Sequence, residues 1–227
     1  MNAQVYCDTV DQKIRLQKEL IETFPIKDDH SPLISLKECG FNLMFEPSIQ
    51  KDYRFLVREA VVKKIGRISK QLDKKNKVLI IRSGWRSFKH QQLLWDNFYK
   101  LLHNQYPAKQ KKEIKEMVAN YIALAKKSMH ATGGAVDALI FDLEKGCIMD
   151  FGTNDGYKIN LIKKSYPYHP DISPVAKQNR ELLIGLFEKE DFLCDLREYW
   201  HFDYGNVVWA LEKGKKFAIY GVIANHK

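Results

Sequence analysis

The stretch Ser128-Met129-His130-Ala131-Thr132-Gly133-Gly134-Ala135-Val136-Asp137 sets an imidazole seven residues ahead of a carboxylate, with a two-glycine turn between them. Glycines allow a tight reversal where a Cβ would clash. The apolar run that follows, Ala138-Leu139-Ile140-Phe141, is short and ends in a turn signal, so it reads as a strand. A carboxylate entering a buried strand is costly unless something pairs with it. A divalent metal held by His130 and Asp137 would satisfy both side chains. The comparable cluster elsewhere is Arg197-Glu198-Tyr199-Trp200-His201-Phe202-Asp203-Tyr204-Gly205, with His201 as third ligand. Two histidines and one carboxylate leave a coordination position open, the catalytic rather than the structural pattern for zinc. Glu198, three residues before His201, then sits where the general base of a zinc hydrolase belongs. Either cluster alone reads more often as a turn and a strand end; it is the pair, in this order, that carries the metal reading.

The elements around these clusters must position them. In a strand, residues three apart point to opposite faces. Glu198 is therefore expected in a loop before a strand starting near Trp200, with His201 and Asp203 on one face and Trp200 and Phe202 on the other. Upstream, Val78-Leu79-Ile80-Ile81 reads as a buried strand. It ends in Arg82-Ser83-Gly84-Trp85-Arg86-Ser87, and a helix follows with Ser87 as N-cap. Arg86 is thus aimed from a rigid corner; a working arginine and an ordinary surface arginine before a helix fit these residues equally.

Spacings of three and four among Leu56, Ala60, Val61, Ile65, Ile68 and Leu72 predict an amphipathic helix over 52–72, closed by Asn76. Further helices are expected over 8–24, with Leu16, Leu20 and Ile21 inward, over 111–127, and from Ser173-Pro174 onward. Extended structure is expected within 33–45. A hairpin at Asp142 to Gly146 should return as a strand over 147–151. The chain should close with a helical turn near Trp209 and a strand over 217–223. Helices interspersed with short hairpin strands, without regular βαβ alternation, indicate an α+β fold.

With 227 residues, 45% of them hydrophobic, and no linker or repeat, the chain reads as a single domain spanning 1–227, residues 1–50 forming an extension packed on it. No apolar run approaches the ~18 residues of a membrane span. The N-terminus lacks a basic start and an apolar segment, which points to a cytoplasmic protein. Cys7, Cys39, Cys147 and Cys194 are widely spaced, so free thiols are expected. The net charge of +9 raises the question of nucleic acid. The lysines, however, fall in short clusters interspersed with acids, without grouped stacking aromatics.

The pattern Ser-x-His-x-x-Gly-x-Ala-x-Asp at 128–137, followed by Glu-x-x-His at 198–201, resembles the zinc D-Ala-D-Ala peptidases. Trp200-His201-Phe202-Asp203-Tyr204-Gly205-Asn206, with Trp209-Ala210 and Ala218-Ile219-Tyr220-Gly221, is similar to the D-alanyl-D-alanine dipeptidases of the vancomycin-resistance type. The resemblance covers about residues 50–223. It implies a small central antiparallel sheet holding one Zn2+ per chain through His130, Asp137 and His201, flanked by helices. It also implies Glu198 as catalytic base, Arg86 as stabiliser of the oxyanion, Ser128 as a substrate contact, and a small D,D-dipeptide as substrate. The family's carboxylate for the substrate amine corresponds to Asp155, one residue out of register. Ser83-Gly84-Trp85-Arg86-Ser87 is closer to the carboxypeptidase branch, and Tyr199 stands where dipeptidases commonly carry Trp. A carboxypeptidase acting on peptidoglycan peptides and a non-catalytic peptide-binding module are the alternatives; a binding module has no use for Glu198.

Overall fold

The computed structural model describes residues 2–153 and 164–224. Its centre is a six-stranded sheet in which β2 (Leu43–Phe45), β4 (Lys77–Ser83), β5 (Ala135–Asp142), β8 (His201–Asp203) and β7 (Leu193–Cys194) lie side by side. β6 (Cys147–Ile148) pairs with the far end of β5. The β4–β5, β5–β8 and β7–β8 pairs are antiparallel, as expected, but β2 runs parallel to β4, so the sheet is mixed. β1 (Leu33–Ser35) and β3 (Leu56–Arg58) form a separate two-stranded ribbon. The fold is α+β.

Helices cover the sheet according to their apolar stripes. α2 (Glu59–Asp73) buries Val61, Val62, Ile65, Ile68 and Leu72, and α5 (Pro174–Lys189) buries Leu183, Ile184, Leu186 and Phe187 in the same core. Fixing that stripe from water is what holds a helix of this length, since propensity alone is marginal. The expected start of α2 near Asp52 is corrected: residues 56–58 are strand, and the helix begins at Glu59. Asn76 ends the connection to β4 in the left-handed region, φ 55°, which Asn tolerates. α5 begins as read, Ser173 Oγ accepting from the Ala176 N–H at 3.0 Å. α3 (Phe88–Gln105) is capped by Ser87, whose Oγ accepts from the His90 N–H at 3.1 Å.

Several other expectations change. α1 (Ala3–Thr23) starts earlier, and Leu16 and Leu20 lie 68% and 55% exposed. Its shielded face runs through Cys7, Asp11, Ile14 and Ile21 instead; a polar residue on that face hid the true stripe. α4 (Lys111–Ala119) stops short of Lys127, because Tyr121 and Ile122 leave the helix to pack with Phe98, Leu102, Ile114 and Val118. The return strand after Gly146 is only β6. The expected strand over 217–223 is absent: its backbone pairs with loops through Ile219 N–H to Gly205 O and Ile223 N–H to Ala131 O, both 2.8 Å. α6 (Val207–Glu212) supplies the helical turn at Trp209. No described helix is long and apolar enough to cross a membrane.

Arg58, 2% exposed, fastens the irregular N-terminal segment to the loop ahead of β5. Its guanidinium donates to Thr132 O (2.9 Å), Ser31 O (2.7 Å) and Asp28 Oδ2 (2.8 Å), and its own N–H donates to Gly133 O (2.9 Å). Gly133 needs its glycine for a φ of 74°; Gly134 needs its own because a Cβ there would collide with the Tyr204 carbonyl. Gly185, on α5, faces open space. Gly134→Ala should therefore cost about 1–3 kcal/mol by overpacking. Gly185→Ala should gain roughly 0.5–1 kcal/mol from helix entropy. Urea unfolding of the two variants tests the opposite signs.

Candidate metal centre

Asp137 stands third in β5 and is paired directly with His201 of β8 and with Ser83 at the end of β4. Partners across an antiparallel pair project on the same face, so the register alone brings the carboxylate and the imidazole together. His130 arrives from the 3-10 turn Met129–Thr132, which the Gly133-Gly134 reversal folds over the head of β5. One ligating atom from each of His130, Asp137 and His201 lies within 4.8 Å of the others, and all three residues are buried. His201 Nδ1 is 2.9 Å from Asp137 Oδ1, His130 Nε2 is 3.2 Å from Asp137 Oδ2, and the two ring nitrogens are 3.1 Å apart.

The outward nitrogens are also held. His130 Nδ1 lies 2.8 Å from Gly84 O, which can only accept, so the N–H is on Nδ1 and the Nε2 lone pair faces inward. His201 Nε2 lies 3.1 Å from Asp203 Oδ1, which also accepts from Asn206 Nδ2 at 2.6 Å. A ligand histidine whose far nitrogen is oriented by a carboxylate or a carbonyl is the usual support of a metal site. Asp203 shares a face with His201, as expected, but its part as orienter was legible only through its position two residues on in the strand.

The charge balance favours a cation. Burial and the Arg86 charge depress His130 to about 4, leaving it neutral. Burial works against a charged His201, yet Asp203 and Asp137 outweigh it and raise its pKa well above the usual value. Asp137 is held well below the ordinary carboxylate range despite its burial, by the Arg86 guanidinium and the hydrogen bond from His201. The field that retains a proton on His201 Nδ1 is the field that would hold a metal ion in its place, with release of that proton. Two imidazoles, one carboxylate and their oriented partners fit zinc.

Arg86 turns its guanidinium back on this group. Nε donates to Ser83 Oγ at 2.7 Å and Nη2 donates to Asp137 Oδ2. Tyr53, buried, donates its hydroxyl hydrogen bond to Trp85 O at 2.9 Å and accepts from the Gly84 N–H at 2.8 Å, which fixes the corner that aims the arginine. Glu198 lies in the turn before β8, as expected: the His201 N–H closes on Glu198 O at 3.0 Å, and Asp195 Oδ1 accepts from the Arg197 and Glu198 N–H groups at 2.7 and 3.0 Å. Burial, with Asp195 and Asp137 adding to it against His201, raises the Glu198 carboxyl to about 7.

Arg86, Ser128, His130, Asp137, Glu198 and His201 all line one cleft of about 820 Å³. Thr153 lines it too, its hydroxyl donating to the Tyr199 hydroxyl at 3.2 Å; Asp155 lies outside the described residues. Tyr199 stacks on Phe151, and its ring centre lies 4.1 Å from the Arg180 guanidinium. Composition gave no sign of Asp11, Arg15 and Lys18 of α1 on the cleft wall, because their helix lies far away in sequence.

The D-alanyl-D-alanine dipeptidase of Escherichia coli (strain K12) is 36% identical over 76 residues, which are 34% of this chain and 37% of that protein. The match thus spans little more than a third of that relative's length. The LdcB LD-carboxypeptidase, a solved structure, is similar with a TM-score of 0.47 and 15% identity, over 82% of this chain and 76% of its own. The D,D-pentapeptidase VanY from a VanB-type vancomycin resistance cassette, solved in complex with Zn(II), gives a TM-score of 0.45 and 15% identity, over 85% and 94%. A family model described as D-ala-D-ala dipeptidase matches residues 41–215, which take in every described residue named above for the metal group and its flanks and leave α1 outside. By that match the chain belongs to the D-ala-D-ala dipeptidase family.

Proposed function

We propose that the protein is a zinc peptidase that hydrolyses the amide bond between two D-alanine residues, with the free D-Ala-D-Ala dipeptide as its substrate. The observation that carries this reading is the convergence of His130 Nε2, Asp137 and His201 Nδ1, with outward nitrogens tied, beside Glu198 and Arg86 in one cleft. Zinc held by these three side chains would polarise the scissile carbonyl and acidify a water. Glu198, with a pKa near neutrality, takes the proton of the attacking water and returns it to the leaving amine. A base poised near the working pH is the efficient one for both transfers. Arg86 stabilises the developing oxyanion; its guanidinium stays charged, and Nη1 has no hydrogen-bond partner among the described residues. Ser128, buried at the turn into His130 and lining the cleft, contacts the substrate backbone.

A second reading has a specific observation behind it. The cleft, about 820 Å³, is at the large end of the range for small-molecule sites and exceeds what two alanines fill. That volume, with the Ser83 to Ser87 motif, favours a carboxypeptidase that accepts an acylated amine. The two readings divide on one comparison. Turnover of free D-Ala-D-Ala well above that of N-acetyl-D-Ala-D-Ala supports the dipeptidase; equal or faster cleavage of the blocked substrate makes the enzyme a carboxypeptidase.

The ligand set is tested by metal analysis: His130→Ala should lose most of its zinc relative to one ion per chain in the wild type, and full occupancy in the variant would remove His130 from the site. The base is tested separately. Glu198→Gln should keep zinc and fold while kcat falls by about 10²–10⁴, the usual worth of a positioned acid–base group. Zinc lost in proportion to activity would instead make Glu198 a ligand.

A further inference from the structure

α1 lies outside the residues matched by the family model, yet it is fastened to the cleft. Asp11 Oδ1 accepts from the Tyr166 hydroxyl at 2.8 Å and from Arg197 Nε and Nη2 at 3.1 and 2.9 Å. One turn earlier, the Tyr6 hydroxyl accepts from the Tyr168 N–H at 3.2 Å, and its ring stands edge-on to Tyr166 and His169. Cys7 beside it is 2% exposed. The helix is thus seated on Tyr166, Tyr168, His169 and Arg197.

Arg197 belongs to the turn that carries Glu198, and Ser165, the residue before Tyr166, ties that turn down. Ser165 Oγ donates to Arg197 O, and the Tyr199 N–H donates to Ser165 O at 3.1 Å. Both neighbours of Glu198 are therefore tied to Ser165, whose own successor, Tyr166, is tied to Asp11. Arg197 is held a second time, by its side chain, on the same Asp11 oxygen. From within, the turn has the Asp195 cap.

We propose that Asp11 is a positioning residue for Glu198, acting through Arg197 and Tyr166, so that α1 is part of the working site. The inference rests on the reading of Glu198 as the base. A partly exposed ion pair contributes modestly to stability, and Asp11 and Arg197 are 28% and 26% exposed. Its geometric effect is larger: two guanidinium donors and a phenol on one oxygen leave the arginine one orientation, and charge-assisted bonds of this kind are the directional ones. A base on a turn has no strand ladder to fix it, and a displacement of about 1 Å at a reacting group can cost 10²-fold in rate.

The test uses the full-length, zinc-loaded protein and the variants Asp11→Ala, Arg197→Ala and their double. Asp11→Ala should lower kcat by about 10- to 100-fold with KM, zinc content and Tm close to wild type. The double variant should be no worse than the poorer single, because the two residues act as one unit. Hydrogen exchange, which needs no turnover, should show faster exchange at Glu198 and Tyr199 in Asp11→Ala and no change in β5. A wild-type kcat with unchanged exchange, additive losses, or losses that follow Tm or zinc would overturn the proposal. If the wild type itself cleaves no D-alanyl peptide, the base assignment fails, while exchange at 198–199 still decides whether Asp11 holds the turn.

Discussion

The structure depends on one registration: Asp137 of β5 opposite His201 of β8. A buried carboxylate against a buried imidazole must be compensated on every side, and the compensation here comes from His130, Arg86 and the outward bond of His201 to Asp203. A slip of one residue would turn Asp137 into the apolar layer and Val136 into the cleft, because strand side chains alternate. The register is pinned beyond the short strand itself. Tyr204 N–H bonds to Gly134 O at 2.9 Å and Ala138 N–H to Trp200 O at 2.8 Å, one on each side of the Asp137–His201 pair. Phe202, between the two polar residues of β8, stacks on Phe187 of α5 with ring centroids 3.8 Å apart. Apolar packing on one face thereby fixes polar geometry on the other.

Irregular chain is needed to bring His130, Arg86 and Glu198 to this pair, and irregular backbone leaves polar groups that a ladder would have satisfied. Two buried arginines supply the missing donors. Arg58 serves the approach to β5 and the segment at 28–31. Arg180, 1% exposed, donates to the carbonyls of Phe151, Lys164 and Tyr166, at 2.6 to 2.9 Å. Burial lowers Arg180 to about 10, which still leaves it charged at neutral pH. A planar fork with five donors suits this work better than a lysine, whose point charge cannot address several carbonyls in fixed directions. Arg180 also lies against Tyr199, so Phe151, the segment at 164–166 and the residue after Glu198 answer to one side chain.

The convergence of the candidate metal group was legible in the sequence for a physical reason. Its members sit on or beside strands, where period-two alternation converts spacing into direction: His201 and Asp203 had to share a face, and Glu198 could not share it with His201 unless it lay in a turn. The cap at Ser173, the glycine reversal at 133–134 and the buried run 78–81 were legible because each follows from a local rule. What stayed hidden depends on distant partners. The docking face of α1 holds Asp11 in a stripe otherwise read as apolar, so periodicity pointed at Leu16 and Leu20, which are exposed. The parallel placement of β2 and the loop pairing of residues 217–223 are choices of neighbour that no local window contains. Asp155, read from the resemblance alone, had no such spacing rule to place it.

The proposed base and the proposed metal group are coupled by the same charges. Burial, with Asp195 and Asp137 adding to it, raises the Glu198 carboxyl, and Asp203 with Asp137 raises His201. Buried carboxylate thus contributes to two things at once: it makes the centre receptive to a cation and adds to the burial that keeps a neighbouring acid near neutrality, where it can both take and give a proton. Asp137 acts on both groups, so its removal would weaken both functions together. The expense is carried by the surroundings, through Arg86 on Asp137, Asn206 on Asp203 and the backbone N–H groups of Arg197 and Glu198 on Asp195. A Glu198 placed on the strand itself would point into the aromatic layer with Phe202 and lose this environment, so the site requires a turn there, and a turn requires ties from outside the sheet. That requirement is what gives the helix at the N-terminus, remote in sequence from the candidate ligands, a physical reason to reach Arg197 and Tyr166.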